Sequence, residues 1–386
     1  MDMNYSTEQK QLADSARRFM AKEYPLSMIN KLENDPLGYS PKLWKDMADL
    51  GWTGLPIPEA DGGIGMQTVD VVILTREFGR VMCPSPYIPT VLLAGGALSA
   101  LGSEKQKERL IPGIVSGDTI LGFALQERGG SYGPSSVHAT AQASADGGFV
   151  LNGEKRFVEY GESAERILVV ARTGAAGADG TGGLGLFIVD PKAAGVTLKP
   201  IPSTMARDRQ CQLQLKDVKI APEDVVGTPG KVWSALEPVI QRAVLAFSAQ
   251  MLGALERAQE LAVDYARQRV QFGKPIGAFM NIQHYLAQIS VDSVAVETLI
   301  FYAAWNLDQG NPVRAEVARA KLTAGNAMQD GTMKCAEIYG GMGFVEEVDV
   351  AYYLRRGKQW QLSMGDTRFW EDQLVTAVFA NLEAAA

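Results

Sequence analysis

The residues best suited to chemistry lie in one stretch, Arg269-Val-Gln-Phe-Gly-Lys-Pro-Ile-Gly277, followed by Phe279 and Gln283. Arg269 closes a long helical pattern. Gly273, Pro275 and Gly277 break it, and a second helical pattern begins near Phe279, so the spacing predicts a sharp turn between two long helices. A guanidinium beside such a turn can grip a phosphate or pyrophosphate through two parallel hydrogen bonds, with Gln271 as a neutral donor and Phe272 as an apolar plug. The same side chain could instead satisfy the last carbonyls of its helix, and its chemistry alone leaves both roles open. Other catalytic chemistries have little to draw on. His138 and His284 are the chain's 2 histidines. A histidine-rich metal site is therefore excluded, and a Ser-His-Asp triad would need one of these two. His138 falls in a strand pattern and His284 in a helix, and both read as ordinary surface or core residues. Cys83, Cys211 and Cys335 lie far apart, without metal-ligand spacing.

The elements that must position this turn change character twice along the chain. Residues 1–119 read as a helical domain. Ser6 with Gln9 forms a capping-box pattern, and Leu12, Ala16, Phe19 and Met20 follow at helical spacing. Ser40 then Pro41 reads as N-cap and first helical position, with Leu43, Trp44, Met47 and Leu50 as the stripe and Gly51 as the stop. The loop 51–65 is rich in Gly and Pro but has no preceding strand and no dinucleotide spacing. Helices are expected near 68–82, 87–101 and 104–116. Residues 120–229 switch to alternation, with strands expected at Thr119–Gln126, Val137–Ala143, Phe149–Val158, Arg166–Ala171, Leu184–Val189 and Cys211–Ile220. Short strands with Gly and Asp turns and no helix between them predict an antiparallel sandwich or barrel. Thr173–Gly185 reads as a mobile Gly/Ala loop. Residues 230–386 return to helix, at about 231–269, 279–308, 312–339, 346–361 and 366–382, with the first three long enough for an up-down bundle.

The net charge of −7, from 37 basic and 44 acidic residues, argues against nucleic acid as a partner. Hydrophobic residues at 46% and charged residues at 21% fit a globular protein of two or three domains. No charge block and no apolar run of membrane-spanning length stands out. The start, Met-Asp-Met-Asn-Tyr-Ser, shows no basic region followed by an apolar one, and the sparse, odd cysteine count fits a reducing cytoplasm, so the expected location is cytoplasmic.

The turn Arg269-Val-Gln-Phe272-Gly273-Lys-Pro275-Ile276, with Phe279 and Gln283, resembles the signature of the acyl-CoA dehydrogenase family, and other segments extend the resemblance over nearly the whole chain. The resemblance implies an α+β fold with an N-terminal α-helical domain, a middle β-domain and a C-terminal four-helix bundle, in a usually tetrameric assembly. It implies FAD as cofactor and an acyl-CoA thioester as substrate. In that family a base removes an α-hydrogen, the flavin N5 takes hydride from the β-carbon, and hydrogen bonds hold the thioester oxygen. The Arg and Phe of the turn hold the FAD of the neighbouring subunit. Glu337-Ile-Tyr-Gly340-Gly341-Met-Gly343 resembles the family's Gln-Ile-x-Gly-Gly-x-Gly, whose glycines let the backbone approach the cofactor, with Glu337 in place of Gln.

The flavin-ring half departs from the pattern. The family's Thr-Glu-Pro-x-x-Gly-Ser-Asp reads Gln126-Glu127-Arg128-Gly-Gly-Ser131-Tyr132-Gly133, and Lys-x-Trp-Ile-Thr reads Lys155-Arg156-Phe157-Val158-Glu159. Phe157 can still pack on a flavin. An ionised Glu159 beside a flavin that turns anionic on reduction would repel it. The family's catalytic Glu, in Tyr-Glu-Gly-Thr, is replaced by Met364, and the alternative Glu position, counted back from Arg269, is Ala243. Asp366 is the carboxylate left nearby, with helix N-capping as its other reading. The resemblance therefore points to the small, non-base-carrying subunit type of heteromeric acyl-CoA dehydrogenases, such as that of pimeloyl-CoA dehydrogenase. A partner subunit would carry the base, and an electron-transfer flavoprotein would accept the electrons. A self-sufficient enzyme using Asp366, and a catalytically silent scaffold, are the rival expectations.

Overall fold

The structure is a computed structural model and describes residues 4–129, 131–203 and 209–385. Six helices come first: α1 (Thr7–Glu23), α2 (Leu26–Asn34), α3 (Pro41–Asp49), α4 (Thr68–Arg80), α5 (Gly96–Leu101) and α6 (Glu104–Val115). The capping box at α1 is reciprocal. Gln9 N–H donates to Ser6 Oγ at 3.2 Å, and Ser6 N–H donates to Gln9 Oε1 at 3.0 Å. Ser40 Oγ accepts from Leu43 N–H at the start of α3, with Pro41 as its first residue. The expected helix 87–101 opens differently: Tyr87–Gly95 is a fully buried π-helical segment that leads into α5. Wide turns of this kind are frequent at functional sites, and this one frames the cavity described below.

The strands β1 (Leu121–Ala124), β2 (Thr140–Ala143), β3 (Phe149–Glu159), β4 (Arg166–Arg172), β5 (Leu184–Val189), β6 (Val196–Pro200), β7 (Gln210–Ile220) and β8 (Val225–Gly230) form one sheet in the order β6-β7-β3-β2-β4-β5-β8, with β1 beside β4. The expected antiparallel sandwich or barrel is antiparallel in most of its pairings, but the sheet is mixed. β1 runs parallel to β4, and β2 touches β4 in parallel at Thr140↔Arg172. The β2–β3 hairpin lies between β1 and β4 in sequence and supplies the long crossover that a parallel pair requires. β6 and β8 escape a reading by alternation, since one is a largely exposed edge and the other contains Gly and Pro. β5 is buried along its whole length, and Leu186 and Ile188 join the main core while Phe187 and Val189 join a second core on the other face. The loop 173–183 is tied down. The Arg172 guanidinium donates to the carbonyls of Pro134 at 2.7 Å and Gly180 at 3.0 Å, and to that of Gly182.

After the sheet come α7 (Trp233–Gln268), a two-strand turn of β9 (Val270–Gln271) and β10 (Lys274–Pro275), then α8 (Met280–Asp308), α9 (Arg314–Tyr339), α10 (Asp349–Leu362) and α11 (Thr367–Ala385). The helical layers at the two ends of the chain are joined directly. A Cβ at Gly79 on α4 would lie 1.9 Å from the Gln250 carbonyl on α7, and one at Gly253 would lie 1.9 Å from the Arg76 carbonyl. The two backbones therefore cross in contact, which only glycine permits. Asp308, ending α8, accepts from Thr68 N–H at 2.8 Å and Val69 N–H at 3.0 Å, capping α4 from 240 residues away. Arg76 pairs with Glu256 on α7 and with Glu297 on α8. Two of these helices are, contrary to the sequence reading, long and apolar enough to cross a membrane by length and composition. In α7, 83% of the apolar window is buried inside the protein, whereas in α8 only 33% is.

Candidate active site

A cavity of about 420 Å³ opens where the sheet, the π-helical segment and the α10–α11 turn meet. Ile88, Pro89 and Leu93 supply one wall, and Phe123, Gln126, Tyr132, Phe157, Glu159 and Gln210 the sheet side. Gln359, Leu362, Ser363, Met364 and Asp366 close the third side. Five residues singled out in the sequence thus converge: Gln126, Phe157, Glu159, Met364 and Asp366. Two of them sit on strained backbone. Phe157 has φ 54° and lies in the irregular stretch of β3 where pairing with β7 shifts register between Lys155 and Val158. The bulge turns its 41% exposed ring toward the cavity. Met364 also has φ 54°, at the turn out of α10. Left-handed backbone costs a non-glycine residue about 1–2 kcal/mol, and such residues cluster at functional sites.

Two buried lysines hold this geometry. Lys155, fully buried, donates to Glu127 at 2.6 Å and to the Leu125 carbonyl at 3.1 Å. Glu127 also accepts from His138 N–H at 2.9 Å and Ala139 N–H at 3.0 Å, so one carboxylate ties the end of β1 to the approach to β2 and to β3. Burial lowers the Lys155 ammonium to about 8, against the pull of Glu127. Glu127 is therefore a structural group. Lys321 on α9 lies under the α10–α11 turn and donates to the carbonyls of Gln361 at 3.2 Å, Gly365 at 3.3 Å and Trp360 at 3.4 Å. Burial lowers it to about 7, with the Asp366 charge acting the other way. It grips the backbone on both sides of Met364. Sequence reading missed Lys321, although a lone lysine on the apolar stripe of Val317, Ala320 and Ala324 was the available signal. It also missed the wall from Ile88 to Leu93.

Met364 is 7% exposed and lines the cavity, so the side chain expected from the sequence at the base position presents a thioether there. Ala243 is 0% exposed, packed in the core of α7, and is not among the residues that line the cavity. Asp366 borders the cavity while its Oδ1 accepts from Phe369 N–H at 2.8 Å, capping α11. Burial, and next the Glu159 carboxylate, hold the Tyr132 phenol above its ordinary range, so that phenol stays protonated.

The α7–α8 turn lies apart from this cavity. Arg269 N–H bonds the Tyr265 carbonyl, and Ile276 N–H bonds the Arg269 carbonyl, closing the turn through the backbone. No described residue accepts from the Arg269 guanidinium. Phe272, at the tip, has φ 52° and is 92% exposed, touching Phe279 edge to face at 6.2 Å. Gln271 and Gln283 bond backbone carbonyls locally, at Val270 and Gly277. Tyr265 and Tyr339 stack at 4.1 Å, which brings the end of α9 beside the end of α7. There Glu337 is exposed, and a Cβ at Gly340 or Gly341 would meet no atom within 4 Å. Gly340 needs its φ of 64°. At Gly341 nothing in this chain demands glycine, so the open space suits a group from outside. A free guanidinium, an exposed aromatic tip and an open glycine backbone fit the pyrophosphate half of FAD. The ring half fits less well, because Glu159 places a carboxylate in the cavity.

Comparison with known proteins agrees with this architecture. The chain matches family models described as acyl-CoA dehydrogenase N-terminal domain over residues 6–118, middle domain over 122–218 and C-terminal domain over 234–369. It is 30% identical to the acryloyl-CoA reductase (NADH) of Anaerotignum propionicum, over 95% of this chain and 93% of that protein. It superposes on butyryl-CoA dehydrogenase from Megasphaera elsdenii with a TM-score of 0.89 and 28% identity, covering 98% of this chain and 100% of that one. A subunit of the ChsE4-ChsE5 complex from Mycobacterium tuberculosis matches with a TM-score of 0.88 and 25% identity, covering 98% and 99%. With all three domains matched in order and the cavity at their junction, the chain belongs to the acyl-CoA dehydrogenase family of flavoprotein oxidoreductases.

Proposed function

We infer that this chain is the base-lacking subunit of a heteromeric, FAD-dependent acyl-CoA dehydrogenase, of the small-subunit type, with the catalytic Glu on a partner chain. The observation that carries this reading is Met364, a side chain unable to accept a proton, buried on the cavity wall at the base position. The second base position is closed by Ala243 in the core. FAD, when bound, supplies the hydride acceptor for the β-carbon of the thioester. This chain's own residues do different work. Arg269 offers a charge-assisted grip on pyrophosphate and Phe272 packs beside it, both on a projecting turn that faces a neighbouring subunit's FAD, while Gly341, past the end of α9, lets the backbone approach the cofactor. Glu337 lacks the amide donor of the family's Gln. Phe157 shields the ring side, and Glu159 disfavours an anionic ring there.

An assembly is supported by the bare face of α8, where Val291 and Val294 are 63% and 62% exposed and Tyr302 is 45% exposed. Faces of this kind mark subunit interfaces. We place the complex in the cytoplasm as a tetramer, with an electron-transfer flavoprotein as acceptor and no nucleic acid or membrane insertion. The domains follow as 1–119, 120–229 and 230–386. One observation favours a second reading. Asp366 borders the same cavity as Met364 and Phe157, so a self-sufficient homo-oligomer could use it as base. The test is purification of the chain alone and then with a co-expressed dehydrogenase partner. The first reading expects flavin absorbance and turnover only in the pair, and turnover by the chain alone refutes it.

A further inference from the structure

One corner of the cavity holds hydrogen-bonding groups in reserve. Gln210 opposes Glu159 across the β3–β7 pairing, which sets their side chains on one face of the sheet. The Glu159 charge in turn acts on the Tyr132 phenol, so the three lie together. Tyr132 and Gln210 both border the cavity. Among the described residues, neither the phenol nor the Gln210 side-chain amide makes a hydrogen bond. Other polar groups of the wall are engaged: Ser203 Oγ donates to Gln359 Oε1 at 2.7 Å, and Ser363 Oγ to the Gln359 carbonyl at 3.1 Å. The loop that carries Tyr132 is fixed from both sides. Ser136 Oγ donates to the Gly133 carbonyl at 2.6 Å and to the Ser131 carbonyl at 3.2 Å, while the Arg172 guanidinium holds the Pro134 carbonyl. The phenol stays protonated, as noted above, so it is a donor at neutral pH. Ile88, Pro89 and Leu93 make the neighbouring wall apolar.

Fixed, unpaired polar groups in a partly apolar cavity are satisfied by a complementary group on the ligand. Neither the phenol nor the amide is charged. The charged side chains on the described lining, Glu159 and Asp366, are both carboxylates, so a neutral oxygen fits better than an anion. A hydroxyl answers both groups at once, since it can accept from the Tyr132 phenol and donate to the Gln210 amide oxygen. We propose that Tyr132 and Gln210 form a subsite for a hydroxyl group on the acyl chain, so that the thioester this chain takes up is a hydroxyacyl-CoA. The inference rests on the cavity taking an acyl-CoA, as proposed above, but not on turnover.

The experiment measures binding to the full chain by calorimetry. It sets hexanoyl-CoA and octanoyl-CoA against their hydroxy derivatives at successive carbons from the third outward, with adipyl-CoA as the anionic control. At the matching carbon the hydroxy thioester should bind about 5-fold tighter, as for one neutral hydrogen bond, and adipyl-CoA should bind no tighter than hexanoyl-CoA. Tyr132→Phe and Gln210→Met should each cut the preference to below about 2-fold. The melting temperature should hold, because neither group bonds within the described chain. Equal affinities at every carbon in the wild type overturn the subsite, and so does a preference that survives both substitutions. A loss in Tyr132→Phe shared equally by plain and hydroxylated thioesters assigns the phenol to the thioester group they have in common, and overturns it too. Tighter binding of adipyl-CoA than of any hydroxy derivative would do the same. Binding of plain thioesters without preference leaves the acyl-CoA reading standing, and binding of none removes both.

Discussion

Replacing Lys155 by Met tests whether the Glu127–Lys155 pair holds the sheet side of the cavity. Lys155 is fully buried, and the Glu127 side chain is 8% exposed, so the substitution leaves a carboxylate without its cation in a dry site. Breaking a buried pair from one side costs about 3–5 kcal/mol. Glu127 keeps its two backbone N–H donors, His138 and Ala139, which places the expected loss at the lower end, about 3 kcal/mol. Urea unfolding at neutral pH, followed by tryptophan fluorescence, measures it directly. The double variant Glu127→Leu with Lys155→Met should recover much of the loss, because no charge remains to be orphaned. The single variant should also weaken flavin retention in the assembled complex, since Gln126 and Phe157 flank the pair in sequence. A loss below about 1 kcal/mol, the scale of an exposed ion pair, would refute the argument that this pair is a dry structural clasp.

Arg269→Ala should weaken FAD retention in the assembled complex by about 1.5–3 kcal/mol, as for one charge-assisted bond, read as flavin released on dilution; unchanged occupancy would leave Arg269 a helix terminus only. Asp366→Asn should leave complex turnover and melting temperature nearly intact, because Asn caps about as well as Asp; loss of turnover with stability kept would identify Asp366 as the base. Lys321 sits at about 7 in the folded chain against an ordinary 10.5, so between those pH values the unfolded chain binds the extra proton and stability rises with pH. Lys321→Met should lack this rise, and the gap in urea midpoint between wild type and variant should therefore widen from pH 7 toward pH 10; a constant gap would contradict a buried, proton-poor lysine.

Helix against strand was legible because the period changes from helical to alternating near residue 120 and back near 230, and the caps at Ser6 and Ser40 are written in adjacent residues. The parallel β1–β4 pairing was not, since strand direction depends on which segments meet, and alternation is the same for both directions. At the site, Met364, Phe157 and Asp366 could be found because motif spacing marks them. Lys321 was marked only as a lone lysine on an apolar stripe, and its role stayed hidden because it lies in the carbonyls it reaches on α10, some 40 residues further along the chain. The chemistry of Glu127 was hidden in the same way by its backbone partners.

The α4–α7 crossing has a consequence for how such a cavity can diversify. With Gly79 and Gly253 pressed against opposing carbonyls, the two helices cannot slide or separate without losing contact along their length. The π-helical wall follows α4 within a few residues, so that wall is anchored to a rigid frame. New substrates must then be accommodated by exchanging side chains on the wall, by the β3 bulge, or by the short turn above Lys321. The frame stays constant while the replaceable parts are few and local, and a side chain on the short turn, such as Met364, can change without disturbing the scaffold.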